Sequence, residues 1–207
     1  QKSLTFYKYH GTANDFVIIN NQYLYFKNNT NLVKELCDRR TGIGADGLIL
    51  LENSNKANFK MVYFNSDGNL STMCGNGGRC IASFAHAMDI CEKTTTFEAP
   101  DGIHHAVIDT TDYVHLSMGN TKYPEKLDDK TYFINTGSPH VVKFVDDINN
   151  INVYEEGKAI REQKQFEQIG GTNVNFVQIN NNEICMRTYE RGVEGETYSC
   201  GTGVTAA

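Results

Sequence analysis

Short apolar runs broken by polar residues recur along the chain: LTFYKY, DFVIIN, LILLE, FKMVYF, TTTFEA, HAVID, YVHLSM, YFIN, VVKFV, NVNFVQI and EICMRTY. Most are bounded by Gly, Asn or Asp and are rich in β-branched and aromatic residues, which predicts β-strands separated by turns. Two stretches carry helical spacing instead. From Asn31 to Arg39, Leu32, Leu36 and Cys37 share one face, with Thr30 placed as the cap. From Asn76 to Met88, Ile81, Phe84, Ala85 and Met88 recur at the i, i+3, i+4, i+7 positions. Many strands with few helices predict an α+β fold.

The pattern is also duplicated. MCGNGGRCIA around Cys74 returns as SCGTGVTAA around Cys200, TANDFVII returns as TGSPHVVKF, and GADGLILL as GTNVNFVQI. With Asn14 set against Ser138, the two cysteines follow 60 and 62 residues later. Such a repeat predicts two pseudo-symmetric halves with a cleft between them. The polar, Pro-containing stretch NTKYPEKLDDK sets the boundary near Gly119 to Glu125, giving halves 1–119 and 120–207.

Composition narrows the function. With 207 residues, 40% of them hydrophobic, and 11 Phe and 11 Tyr, the chain can fill real cores. A net charge of −6 with the two signs interspersed offers no footprint for nucleic acid or an anionic membrane, and favours a small-molecule partner. No apolar run reaches the roughly 20 residues that span a bilayer, and QKSLTFYKYH has no signal-peptide core, so a cytoplasmic location is expected. There the six cysteines are expected as free thiols, and none has C-x-x-C or zinc-ligand spacing. The chain begins with Gln1 and stops as GTGVTAA enters a helix, which predicts a missing C-terminal part. Gly42, Gly44 and Gly47 spell a dinucleotide fingerprint, but a helix precedes them and a strand follows, the reverse of the order that motif needs.

Each Cys-Gly-x-Gly element reads as a tight turn that opens a helix. A thiol there sits among unpaired backbone N–H groups at the positive end of the helix dipole, which predicts a lowered pKa. One such cysteine is as well explained by packing. Two in a repeat suit stereoinversion at an acidic carbon, where a base on one face and an acid on the other act while donors neutralise the growing negative charge.

The stretches FYKYHGTANDFVIIN, RRTGIGADGLILL, YFNSDGNLSTMCGNGGRC, TGSPHVV, GTNVNFVQI and YERGVEGETYSCGTG, in this order, resemble diaminopimelate epimerase from residue 6 to the end. The resemblance implies two domains, each a β-barrel-like sheet around a central helix, and an isomerase of lysine and peptidoglycan precursor synthesis that interconverts LL- and meso-diaminopimelate without pyridoxal phosphate or metal. It implies Cys74 and Cys200 as the acid/base pair, with His140 and Glu190 tuning them. Substrate contacts would come from Asn14, Asn65, Asn173, Glu190 and Arg191, with backbone around Gly75, Asn76, Gly201 and Thr202. A homodimer is a possible assembly. Bland alternatives stay open for single residues: Asn14 and Asn65 as turn formers, Glu190 and Arg191 as a solvated pair, His140 as a structural histidine. Ser138 and Gly47 depart from the family pattern, as does the extra residue in ERGVEGET. Proline racemases and phenazine-type isomerases are the nearest rivals. The former typically carry His where this chain has Asn76, and the latter an acid where it has Cys74.

Overall fold

The apolar runs form two sheets, each holding a helix that starts immediately after a cysteine of the repeat. The computed structural model describes residues 3–27, 29–110 and 113–207, in two compact units, Gln1–Ser117 and Met118–Ala207.

In the first unit, β1 (Tyr7–Gly11), β2 (Asn14–Asn20), β3 (Gly47–Glu52), β4 (Phe59–Asn65), β5 (Thr94–Ala99), β6 (Gly102–Thr110) and β7 (Tyr113–Leu116) form one sheet in chain order. The β2–β3 and β4–β5 pairs are parallel, so their links are long and carry helices: α1 (Thr30–Cys37) and α2 (Gly75–Ala87). Helix α2 packs on both edge strands, β1 and β7, as well as on strands between them, which requires the sheet to curl around it. Its buried face, including Ile81, Phe84 and Ala85, meets Phe16, Ile18, Ile49, Met61 and Phe97. On the other side of β2 and β3, Val17, Ile19, Leu48 and Leu50 cluster with Val33 and Cys37 of α1. Both faces of these strands are covered, which is why FVII and LILL are continuous rather than alternating apolar runs.

Both predicted helices exist, with corrected ends and, for α1, a corrected face. Asn29 rather than Thr30 caps α1, its Oδ1 accepting from the backbone N–H of Asn31 at 3.0 Å and Leu32 at 3.2 Å. The helix buries Val33 and Cys37, while Leu32 is 38% exposed. Helix α2 begins at Gly75, one residue before its expected start, with Cys74 as its cap residue.

The second unit has the sheet order β13-β12-β11-β10-β9-β8, built from β8 (Glu125–Lys126), β9 (Thr131–Asn135), β10 (Pro139–Phe144), β11 (Asn173–Asn180), β12 (Glu183–Glu190) and β13 (Gly195–Thr197). Strands β9 to β12 pair antiparallel, parallel, antiparallel, the same succession as β1 to β4. Helix α3 (Val153–Arg161) links the parallel pair, and α4 (Gly201–Ala206) packs on β10 and β11.

Helix α3 was not legible as an apolar stripe because its buried face contains little besides Val153 and Gly157. A Cβ on Gly157 would lie 2.4 Å from Tyr189 Cβ, so the glycine brings the helix axis down onto β12. Its sequence signals are at its ends: the Asn152 cap accepting from Glu155 N–H at 3.3 Å, acids in the first turn, and Lys158 and Arg161 in the last. No helix among the described residues is long and apolar enough to cross a membrane.

Candidate active site

The two cysteines occupy the same backbone station in their own units. Cys74 precedes α2 with φ −118° and ψ 125°, and Cys200 precedes α4 with φ −128° and ψ 107°. The first helical bonds run from Gly78 N–H to Cys74 O at 2.7 Å and from Val204 N–H to Cys200 O at 2.9 Å. The glycines of each turn allow close approach: a Cβ on Gly203 would lie 2.4 Å from Asn175 Oδ1, and one on Gly77 would lie 3.1 Å from the ends of Ile49 and Met61.

Around Cys74 the structure gathers Asn14, Gly75 and Asn76. The sulfur lies 3.7 Å from Asn14 Oδ1, which also accepts from Asn76 Nδ2 at 3.3 Å. Asn14 Nδ2 donates to Asp46 Oδ2 at 2.8 Å, and Arg79 donates to Asn76 Oδ1. Asp46 belongs to an ion cluster in which Arg39 bridges Asp15 and Asp46, each at 2.7 Å, and Lys8 binds Asp15 at 2.7 Å. Against the upward push of burial, Arg39 and Lys8 hold the Asp15 carboxyl well below the usual carboxylate range. Asn65 closes β4 opposite Gly47 and is exposed. A Cβ on Gly47 would lie 2.5 Å from the Tyr63 ring and 2.6 Å from the Phe64 carbonyl, so any larger residue here needs the ring or the backbone to shift.

Around Cys200 the structure gathers His140, Glu190, Gly201 and Thr202. His140 is completely buried. Its Nε2 lies 2.8 Å from Thr202 Oγ1, which is 3.4 Å from the Cys200 sulfur. The proton positions follow from the far end of this chain. Asn175 Nδ2 lies 3.1 Å from the Val141 carbonyl, which can only accept, and Asn175 Oδ1 accepts from Thr188 Oγ1 at 3.0 Å. That orientation makes Nδ2 the donor to His140 Nδ1 at 3.0 Å. Neutral His140 therefore carries its proton on Nε2 and gives it to Thr202, whose own hydroxyl proton is left for the sulfur. Burial, reinforced by Arg191, pushes the His140 pKa down to about 4, so the ring is neutral near pH 7.

The Cys200 thiol departs from the lowered pKa expected at a helix start. Burial and the nearby Glu190 carboxylate push it up, and the Thr202 hydroxyl with the Gly203 and Thr202 backbone N–H groups only partly offset this. Glu190 itself accepts from Thr197 Oγ1 at 2.8 Å. Asn173 and Arg191 come together at the end of β12: Asn173 Oδ1 accepts from Arg191 N–H at 2.9 Å, while its Nδ2 donates to Ser138 Oγ at 2.9 Å and Pro139 O at 3.0 Å. Arg191 Nη1 donates to Ile169 O at 3.0 Å and to Gly171 O at 3.3 Å. The Asn173–Ser138 and Asn14–Asp46 bonds join the same paired segments of the two repeats.

Burial pushes the Cys37 thiol up to about 11, and burial with the Cys74 neighbour pushes Cys80 up to about 12, so neither is a nucleophile at neutral pH. Sequence reasoning overlooked Asp46, Arg79, Asn175 and Thr188. Asn175 carried a signal, an Asn inside the apolar strand NVNFVQI, where a buried amide needs partners. Asp46 was hidden in GADG, where it read as turn punctuation.

A family model described as diaminopimelate epimerase matches residues 6–124 and 132–207. The chain belongs to the diaminopimelate epimerase family. It is 54% identical over 202 residues to the diaminopimelate epimerase of Flavobacterium psychrophilum, covering 97% of this chain and 78% of that protein. The diaminopimelate epimerase of Chlorobaculum tepidum is 43% identical over 204 residues, covering 95% of this chain and 79% of the relative. Among solved structures, a hydroxyproline epimerase from Agrobacterium vitis aligns with TM-score 0.68 at 12% identity, over 97% of this chain and 74% of that one. A phenazine biosynthesis protein from Bacillus anthracis aligns with TM-score 0.67 at 13% identity, over 100% and 79%. At such identities the structural likeness speaks for the fold, so the curled-sheet α+β architecture is shared with these relatives while the chemistry of each site is its own.

Proposed function

We propose that this epimerase-family chain interconverts LL- and meso-diaminopimelate in the cytoplasm, with Cys74 and Cys200 acting from opposite faces of one α-carbon. The observation that carries the reading is the pair of thiols at one backbone station in a duplicated fold, in a chain 54% identical to a diaminopimelate epimerase. One sulfur, as thiolate, takes the α-proton, and the C–H electron pair moves toward the carboxylate as an enolate-like charge. The other, as thiol, delivers a proton to the opposite face, leaving the two sulfurs with exchanged protonation. Helix-start N–H groups at Gly75, Asn76, Gly201 and Thr202 would hold the growing negative charge. Asn14, Asn65, Asn173, Glu190 and Arg191 would recognise the amino and carboxylate groups. His140 would act as a neutral donor that orients Thr202 toward Cys200.

An isotope experiment tests the two-base arrangement. With LL-diaminopimelate in D2O, product collected at low conversion should carry deuterium at the inverted carbon while unreacted substrate stays protiated, provided the donor thiol exchanges between turnovers. Largely protiated product would sink the assignment. Parallel assays with proline and glutamate should give no turnover, and activity on proline alone would overturn the substrate.

A further inference from the structure

We propose that Asp46 and Arg79 are positioning residues that lock the side-chain amides of Asn14 and Asn76, so that Asn14 turns its carbonyl oxygen, and never its NH2, toward the Cys74 thiol. An asparagine amide can present either end to a neighbour, and the flip costs little unless its partners are themselves one-handed. Here both ends of a short relay are one-handed. The Asp46 carboxylate can only accept, so Asn14 must offer it Nδ2, at 2.8 Å. The Arg79 guanidinium can only donate, so Asn76 must offer it Oδ1. The two inward ends then meet as donor and acceptor, Asn76 Nδ2 on Asn14 Oδ1 at 3.3 Å, with the Cys74 sulfur 3.7 Å from that same oxygen.

Asp46 is itself immobilised. Arg39 holds its Oδ1 at 2.7 Å, Asp15 N–H reaches its Oδ2 at 3.1 Å, and its own N–H is held by Asp15 Oδ1 at 3.0 Å. The orientation of one amide beside the sulfur is thereby set by ions that do not touch the sulfur. An acceptor oxygen favours the S–H form, whereas an NH2 in its place would favour thiolate. The lock biases Cys74 toward the proton-donating form, and this significance rests on the two-thiol reading above. Cys80 of α2 is electrostatically coupled to Cys74, and Arg79 of the same helix to Cys80; Tyr7 and Tyr9 of β1 and Tyr63 of β4 belong to the core cluster that Cys74 borders.

The test reads thiol reactivity without substrate, so it stands or falls separately from the epimerase assignment. The protein is alkylated with iodoacetamide at pH 7, and peptide mass spectrometry follows Cys74 and Cys200 in the same sample. In Asp46→Asn one of the two one-handed ends of the relay is lost, the preference of Asn14 for its carbonyl orientation weakens, and Cys74 alkylation should rise about tenfold while Cys200 is unchanged, the effect of about one pKa unit in thiolate population. Asp15→Asn is the charge control: it removes a carboxylate from the same cluster but keeps an Oδ1 acceptor for the Asp46 N–H and leaves the Asn14–Asp46 bond intact, so Cys74 should be nearly unchanged. An unaltered Cys74 rate in Asp46→Asn, or an equal rise in Asp15→Asn, overturns the proposal. If Asp46→Asn does not fold, the unmutated protein decides by NMR. The Asn14 NH2 protons should exchange with solvent markedly slower than those of exposed Asn149, and equal rates would overturn the lock.

Discussion

The Cys74 turn and the Cys200 turn share a backbone conformation and a place in the repeat, yet the groups facing their sulfurs differ in kind. Cys74 faces an amide oxygen whose orientation is anchored by charged residues, Asp46 on one side and Arg79 on the other. Cys200 faces a hydroxyl at the end of a relay of neutral groups, Thr188, Asn175, His140 and Thr202, nearly all buried, with the Glu190 carboxylate acting on the sulfur by charge. A duplicated fold thus keeps the position of a reactive atom while letting its proton environment diverge, because backbone geometry depends on the turn and helix whereas protonation depends on a few polar neighbours.

Removing either sulfur is the strongest way to break the comparison. Cys74→Ala and Cys200→Ala should each lower epimerisation at least about a thousandfold, since each direction needs both an acid and a base. Steady-state assay decides it, and a variant that keeps a tenth of normal turnover would show that one thiol suffices.

The glycines should separate the turns next. Gly203→Ala drives a Cβ to within 2.4 Å of the buried Asn175 amide, whereas Gly77→Ala meets only the flexible ends of Ile49 and Met61 at 3.1 Å. The first should destabilise by about 2–3 kcal/mol and the second by about 1 kcal/mol, read from denaturant midpoints. Equal costs would mean that the Cys200 turn is as yielding as the Cys74 turn.

His140 gives the Cys200 half a pH response between pH 6.5 and 4. Its folded pKa of about 4 lies below the ordinary histidine value near 6.5, so the unfolded chain binds the extra proton first. Stability from this group is complete above pH 6.5, falls by about 1.4 kcal/mol per unit as the pH drops toward 4, and is lost below that. The total is about 3 kcal/mol, and His140→Gln should flatten the slope between pH 6.5 and 4. An unchanged slope would place the titrating group elsewhere. The smallest effect is expected at exposed Cys185, where Ser should change unfolding free energy by less than about 0.5 kcal/mol and leave turnover intact.

Much of this was legible in the chain itself. Period-two and short apolar runs located the long strands, since a strand buried on one or both faces must be written that way. Asn76 to Met88 announced α2, because a helix wrapped by a sheet needs an apolar surface of helical period. The recurrence of Cys-Gly-x-Gly picked out both sulfurs, since only a glycine-rich turn can bring a helix start so close to neighbouring strands. What sequence could not decide depends on contacts between distant segments. Helix α3 is stabilised by caps and by Gly157 lying on Tyr189, not by a stripe. The face of α1 is set by Val33 and Cys37 meeting the sheet. Asp46 and Asn175 look like turn and strand residues until the parallel pairs β2–β3 and β10–β11 bring them beside Asn14 and His140. The rise in the Cys200 pKa likewise comes from burial and from Glu190 on another strand, terms that exist only once the chain has folded.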